Sequence, residues 1–255
     1  MIKRIFGYGF LLIVSYAIFL IANLPSSFVW KQLQPLIPLQ QLPFRIEAVS
    51  GTVWQGQVLA RAEGIPVLCD WKVDLLGAIS GQLPVAVRVK SLPGELKGNL
   101  RVGMGDIEIE NLKGVVRLDP LNPALSRQRL TLAGDVAVRS FNLSIQQGRI
   151  NNASADIAWS GGNISYPAGR SQHDRMLPAF RAQIATIDGE SRLSVRDSEA
   201  TFDVISGAID QNGIAMLEVT RRVLDLAREP WPSNSTEKDV VFKVKRKLYL
   251  TPSQG

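Results

Sequence analysis

In "PVLCDWKVDL", Pro66–Leu75, the residues Val67, Cys69, Trp71 and Val73 fall on one side of an extended chain and Asp70, Lys72 and Asp74 on the other. Side chains alternate across a strand with a period of two, so this spacing predicts a strand with one dry and one wet face. The same alternation continues on the C-terminal side. "VAVRVKS" sets Val85, Val87 and Val89 against Ala86, Arg88 and Lys90. "ELKGNLRV" sets Leu96, Leu100 and Val102 against Lys97, Asn99 and Arg101, and "GDIEIENL" sets Ile107 and Ile109 against Asp106, Glu108 and Glu110. Beyond "LDPLNPALSRQR", where Pro120 and Pro123 interrupt regular structure, "LTLAGDVAVRS" places Leu130, Leu132, Val136 and Val138 on one face. "SADIAWSGG", "SRLSVRD", "ATFDVIS", "GIAMLEV" and "DVVFKVKRKL" extend the series, and only "TRRVLDLARE" has the spacing of a short helix. Gly, Asn, Asp and Pro punctuate these runs as they do in all-β chains. The expected fold is mainly β: an N-terminal transmembrane helix, then a long, curved, mostly antiparallel sheet. One-sided strands must cover their dry faces by curling, by doubling over or by holding something apolar, so groove and roll both stay open.

Upstream, "VSGTVWQGQV", Val49–Val58, sets a tryptophan between two glycines. Read as a continuous strand, it places Thr52, Trp54, Gly56 and Val58 on one face, with Trp54 inward and Gly56 leaving room beside the indole. A packed Trp54 implies that truncation to alanine costs about 3–5 kcal/mol; a binding role for Trp54 is the alternative. "AWSGG", with Trp159, Gly161 and Gly162, repeats the Trp-x-Gly theme and hints at two similar halves divided near residues 119–129. Gly51, Trp54, Gly56, Trp71, Trp159, Gly161 and Gly162 are therefore the candidate structural-motif residues.

The N-terminus carries a different signal. After Lys3 and Arg4, the segment from Ile5 to Leu24 holds no charged residue. At about 1.5 Å per residue it is roughly 30 Å long, the thickness of a bilayer core. It exceeds the usual length of a signal-peptide core and ends in a poor cleavage site, so it reads as an uncleaved single-pass anchor. Lys3 and Arg4 keep the N-terminus cytoplasmic and put the rest outside, in the periplasm of a two-membrane bacterium. Tyr8 and Trp30 suit the two interfaces. Residues 25–45 read as a stalk with prolines at 25, 35, 38 and 43, in which Ser26 or Ser27 caps a short helix carrying Phe28, Trp30 and Leu33. Residues 46–255 form the β domain.

Composition excludes much chemistry. The chain has 255 residues and a formal net charge of +6, but the excess is dispersed, which argues against nucleic acid as a partner. Cys69 is the only cysteine, so an intramolecular disulfide and a Cys-rich zinc site are impossible. His173 is the only histidine and lies in the polar run "GRSQHDR", read as a solvated loop. No Gly-x-x-x-x-Gly-Lys-Ser/Thr, His-Glu-x-x-His or Gly-x-Ser-x-Gly occurs, and "GMGDIE" has no helix after it to make a phosphate site. Asp106, Glu108 and Glu110 share a strand face that reads as solvated, with a hard cation as the lesser alternative. Asn142 and Asn163 head chance sequons. No catalytic residue, metal ligand or cofactor is expected.

The basic start, single span, stalk and "VSGTVWQG" resemble the type II secretion system protein N (general secretion pathway protein N) family. "CDWKVDLLGAISGQL", "GDVAVRSFNLSIQQGRINNASADIAWSGGNISYP" and "NGIAMLEVTRRVLDLAREPWP" carry the resemblance along most of the chain, and the cationic "FKVKRKLYL" stands outside the segments that carry it. The family resembles, more widely, AsmA-like proteins with long apolar troughs. The resemblance implies a non-enzymatic inner-membrane subunit, periplasmic domain outward, of the apparatus that exports folded proteins across the outer membrane. Other secretion-system subunits are the implied partners. A periplasmic lipid-binding or lipid-transfer module, with phospholipid in an apolar β groove, is the second reading.

Overall fold

The computed structural model describes residues 2–33, 44–74, 83–103, 106–147, 149–169, 171–210, 213–232 and 234–247, with side chains in the first helix from Leu11 onward. Helix α1, Ile2–Ala22, is followed by a short α2, Ser26–Leu33. Six strands then run up and down as a meander: β1 Phe44–Gly51, β2 Gln55–Ala62, β3 Ile65–Val73, β4 Leu83–Ser91, β5 Gly94–Val102 and β6 Asp106–Arg117. Helical turns over residues 119–128, including α3 Asn122–Leu125, lead to β7 Thr131–Leu132. Next come β8 Asp135–Gln146, β9 Arg149–Trp159, β10 Gly162–Ala168, β11 Ser171–Leu177, β12 Phe180–Ile187 and β13 Glu190–Asp197. The chain closes with β14 Ile205–Ile209, β15 Ile214–Thr220, α4 Arg221–Leu226 and β16 Val240–Lys247.

Thirteen strands form one sheet in the order β1-β2-β3-β4-β5-β6-β8-β9-β12-β13-β14-β15-β16; β11-β10-β7 form a second, three-stranded one. Every pair is antiparallel, as short links between neighbouring strands require. Glu63-Gly64 and Asp188-Gly189 both have two successive positive φ angles, the type I′ geometry that suits two-residue hairpins. The sheet does not close on itself: β1 and β16 are its edges.

Registers join the dry faces into one band. Val49, Val58, Cys69, Val89 and Leu96 lie opposite one another in successive strands. The row continues through Gly114, Val138, Ile157 and Ala182. It ends with Val195, Ile205, Val219 and Phe242, so one apolar residue from each of the thirteen strands lies in line. All but the terminal residue are half-buried. Among the described residues the buried apolar ones are small or scattered — Ala153, Ala155, Val204, Ala227 and Pro93 — as expected of a curled single layer and not of two sheets packed face to face.

Two paired irregularities bend this layer. In β6 the dry face changes from odd to even positions between Ile109 and Leu112, where Asn111 has φ +53°. In β8 the phase slips between Val138 and Phe141. Ile109 still faces Leu143 and Gly114 still faces Val138, so the two slips compensate and keep apolar residues on one face. Such bulges curve the strands that carry them.

Several expectations change. "LTLAGDVAVRS" is two strands in different sheets, because Gly134 (φ +96°) turns the chain between them. "ATFDVIS" is a strand only from Ile205; residues 200–204 are bends that bury Val204. Pro120 and Pro123 sit in the first turn of helical segments, where a missing amide hydrogen costs nothing. "GRSQHDR" is no loop: residues 171–175 belong to β11. The side chain of Tyr8, residues 34–43 of the stalk and residues 75–82 of the family-like segment lie outside the described residues. Among the described residues no helix is long and apolar enough to cross a membrane.

Candidate functional site

The C-terminal end of α1 is seated on the turn between β1 and β2. A helix leaves its last carbonyls without intrahelical partners. Here the Trp54 indole Nε1 donates to Ile21 O at 2.8 Å, and Val53 N donates to Leu24 O at 3.0 Å. Pro25 bridges to Thr52, and the buried Ser26 hydroxyl donates to Gly51 O at 3.0 Å. Ser26 thus ties α2 to β1 instead of capping α2. The turn closes through Thr52 N to Gln55 O at 2.8 Å. Gly51 enters it at φ +93°, where a Cβ would lie 2.5 Å from Gln55 O. Residues 52–54 therefore interrupt the expected continuous strand, and Trp54 is a half-buried turn residue, not an inward strand residue.

Trp71 secures the same corner from β3. Its Nε1 donates to Val53 O at 3.0 Å, and its ring lies so close to Gly56 that a Cβ there would meet it at 2.5 Å. Trp159 forms a comparable corner about a hundred residues on: its Nε1 donates to Ala133 O at 3.0 Å, and its ring stacks on Phe180 with centroids 5.9 Å apart. Gly134 and Gly162 allow the close approach, since a Cβ on either would press against backbone or the indole. Gly161 turns at φ +79° beside Pro178. The seven motif residues thus occupy two separate corners, and at both an indole N–H satisfies a carbonyl outside the main ladder.

A groove of about 960 Å³ opens along the wet face of the first strands, lined by Gln57, Asp70, Arg88, Lys97, Asn99 and Lys113 among others. A smaller one of about 520 Å³, with Arg192, Ser194, Asp203 and Glu218, lies on the wet face of the second part. Both carry ion-paired charges: Glu95 meets Arg88 at 3.4 Å and Lys97 at 3.1 Å in the first, and in the second Arg196 holds Asp203 at 2.7 Å and Lys243 holds Glu218 at 2.7 Å.

The ionisable groups are engaged rather than poised. Arg101 spans Glu108 at 3.4 Å and Glu110 at 2.9 Å, which accounts for two of the three carboxylates on the β6 face. His173 Nδ1 lies 2.7 Å from Glu229 Oε1, to which Tyr166 also donates, while Arg175 donates to Ala227 O. The hydrogen bonds from Tyr166 and His173 hold Glu229 below the ordinary carboxylate range. Burial and the Glu229 carboxylate push the Tyr166 phenol up to about 12, so it stays protonated at neutral pH and acts as a donor. Burial, with Asp70 adding to it, raises the Cys69 thiol, which is the wrong direction for a nucleophile. Among the described residues no group of three or more His, Cys, Asp or Glu could hold a metal ion. Sequence reasoning missed Tyr166 and Glu229, which are 63 residues apart and meet only through the fold.

A second polar lock binds α4 to the sheet. Arg222 contacts Asp197 at 3.1 Å, Glu199 at 2.8 Å and Glu237 at 3.6 Å. Burial pushes the Asp197 carboxyl up, but hydrogen bonds from Glu199 N, the Arg222 guanidinium and Ala200 N outweigh it and leave it below its ordinary value. "TRRVLDLARE", singled out only for its helical spacing, joins the sheet to both polar clusters.

An open antiparallel sheet, tied at one corner to a helix and carrying paired charges, defines the protein as a β scaffold. Residues 43–224 match the family described as type II secretion system (T2SS), protein N, and the chain belongs to that family, a component of the type II secretion system. No curated protein and no solved structure matches the chain.

Proposed function

We propose that the chain is a non-enzymatic inner-membrane subunit of the type II secretion system, in which α1 anchors the protein and the sheet makes protein–protein contacts in the periplasm. The carrying observation is the corner at α1. Leu11, Leu12, Ile13, Ile18, Phe19 and Ile21 are 58–70% exposed, so nothing among the described residues covers the apolar surface of this helix. Its far end is bonded to the first hairpin of the sheet at Ile21, and the residues that follow it are bonded there at Leu24 and Ser26. A bilayer suits the uncharged stretch from Ile5 to Leu24, and Lys3 and Arg4 favour a cytoplasmic N-terminus. Residues 1–24 then anchor, 25–45 form a stalk, and 46–255 form the working domain. The anchor raises the local concentration of the sheet near the machine.

The apolar row favours a second reading, an AsmA-like trough that shelters acyl chains, since each buried methylene contributes about 0.8 kcal/mol. Gentle solubilisation and affinity purification of the full chain distinguishes the two. Stoichiometric secretion subunits are expected; phospholipid retained through delipidating washes without any subunit supports the trough, and recovery of neither overturns both. A reporter that is active only in the periplasm, fused after Lys247, tests the orientation.

A further inference from the structure

We propose that the outer edge of β16 is a docking edge for an extended segment of another chain, one that alternates apolar and acidic residues. β16 pairs with β15 on one side, and no described element pairs with it on the other. At the opposite end of the sheet, α2 packs against β1. An edge strand presents unpaired N–H and C=O groups that can take a further strand.

The side chains of β16 select what adds. Phe242 and Val244 are 58% and 37% exposed and continue the dry face beyond Val219 and Leu217, while a bulge opposite Thr220 takes Val240 out of that row. Lys243 and Lys245 point to the wet face, opposite Glu218 and Met216. Lys243 already has Glu218 at 2.7 Å, whereas Lys245 has no acidic partner among the described residues. An added strand shares both faces, so its residues opposite Phe242 and Val244 should be apolar and those opposite the lysines acidic.

A second copy of this chain fits poorly. If two β16 strands pair antiparallel with dry faces aligned, lysines oppose lysines; shifted by one residue, lysines fall on the dry face. Lysines at an edge also repel indiscriminate strand pairing, and the same repulsion leaves an acidic strand as the favoured occupant. The edge stands twelve strand spacings from the corner at α1, about 58 Å along the sheet at about 4.8 Å per spacing. It also lies beyond residues 43–224 that match the family, so the specificity belongs to a part of the chain outside that match.

This inference rests on the contact-subunit reading only for the source of the partner; the pairing itself is tested alone. The full chain in neutral phosphatidylcholine nanodiscs is titrated with the labelled peptide Glu-Val-Glu-Val-Glu-Val-Glu. Controls are a block-ordered peptide of the same composition and an alternating Val–Lys peptide. The alternating acidic peptide is expected to bind about tenfold tighter than either control and to slow amide exchange in β16. Lys245→Glu, which should leave the melting curve unchanged, is expected to weaken it several-fold and to strengthen the Val–Lys peptide. Equal binding of all peptides, indifference to Lys245→Glu, or capture of phosphatidylglycerol vesicles without capture of the peptide would overturn the proposal. The purification experiment above is independent of these outcomes, so the subunit reading survives or fails separately.

Discussion

The indole nitrogen of Trp54 lies 2.8 Å from the carbonyl oxygen of Ile21, a residue 33 positions earlier in the chain. That bond joins the end of α1 to the first hairpin of the sheet and gives the Trp-Gln-Gly motif its physical purpose. An indole N–H is a donor only, and an α-helix end offers carbonyls with no internal partner.

Trp54→Phe keeps the ring and removes the donor. The expected loss is about 1 kcal/mol, the net worth of one hydrogen bond, and Trp54→Ala should cost less than the loss of a core aromatic. Thermal unfolding of the detergent-solubilised chain measures both, and limited proteolysis near residue 23 reports on the corner. A loss of core-aromatic size for Trp54→Ala would show that the turn is more tightly packed than its half-exposure indicates.

Gly56→Ala should be much more damaging than Gly64→Ala. A Cβ at Gly56 would meet Ser50 O at 2.4 Å and the Trp71 ring at 2.5 Å, and the backbone oxygen is fixed by the hairpin. We expect about 2–4 kcal/mol. At Gly64 there is open space, and only the φ of +86° is strained, which costs about 1 kcal/mol. Denaturant melts of the two variants side by side test the ranking.

Acid should loosen the α4 lock. Asp197 and Asp203 both titrate below the ordinary value of 3.8: at each, burial pushes the carboxyl up, and hydrogen bonds, with arginine among the donors, pull it further down. A carboxylate with a depressed folded-state value contributes stability that is complete above its unfolded value and is lost as pH falls through the folded one. Stability should therefore hold at neutral pH and decline below about pH 4. Arg222→Ala leaves the enclosed Asp197 carboxylate unpaired and should cost about 3 kcal/mol at pH 7, with a smaller penalty in acid. Urea melts at pH 7 and at about pH 2.5, below the ordinary carboxylate value, give the comparison, and equal penalties at both would rule out the ion pair as the source.

Glu229→Gln removes the charge shared by His173 and Arg175 but keeps an acceptor for Tyr166. Faster amide exchange in β10 and β11, with little change in β2 to β5, is the expected result. A uniform change across the sheet would mean that this cluster governs global and not local stability.

The alternating strands were legible because each carries its period of two within a few residues, and even the slip in β6 is visible as Ile107 and Ile109 giving way to Leu112 and Val116. β10 and β11 were not, because "SQHDRML" has no apolar alternation; pairing with β10 and contacts to Glu229 and Ala227 hold it extended. The cationic stretch before residue 248 was visible as lying outside the family-like segments, but nothing local shows that it forms an edge.

By itself the sequence determined the β class, the dry and wet face of most strands, the uncharged N-terminal stretch and the family. These follow from side-chain period, charge and motif order, which are properties of neighbouring residues. Only the tertiary structure decided that the sheet stays open, that Trp54 holds a helix end, that Glu229 gathers Tyr166, His173 and Arg175, and that β16 is left at the margin. Those outcomes depend on register and closure across the whole sheet, where residues far apart in the chain compete for the same hydrogen-bonding partners.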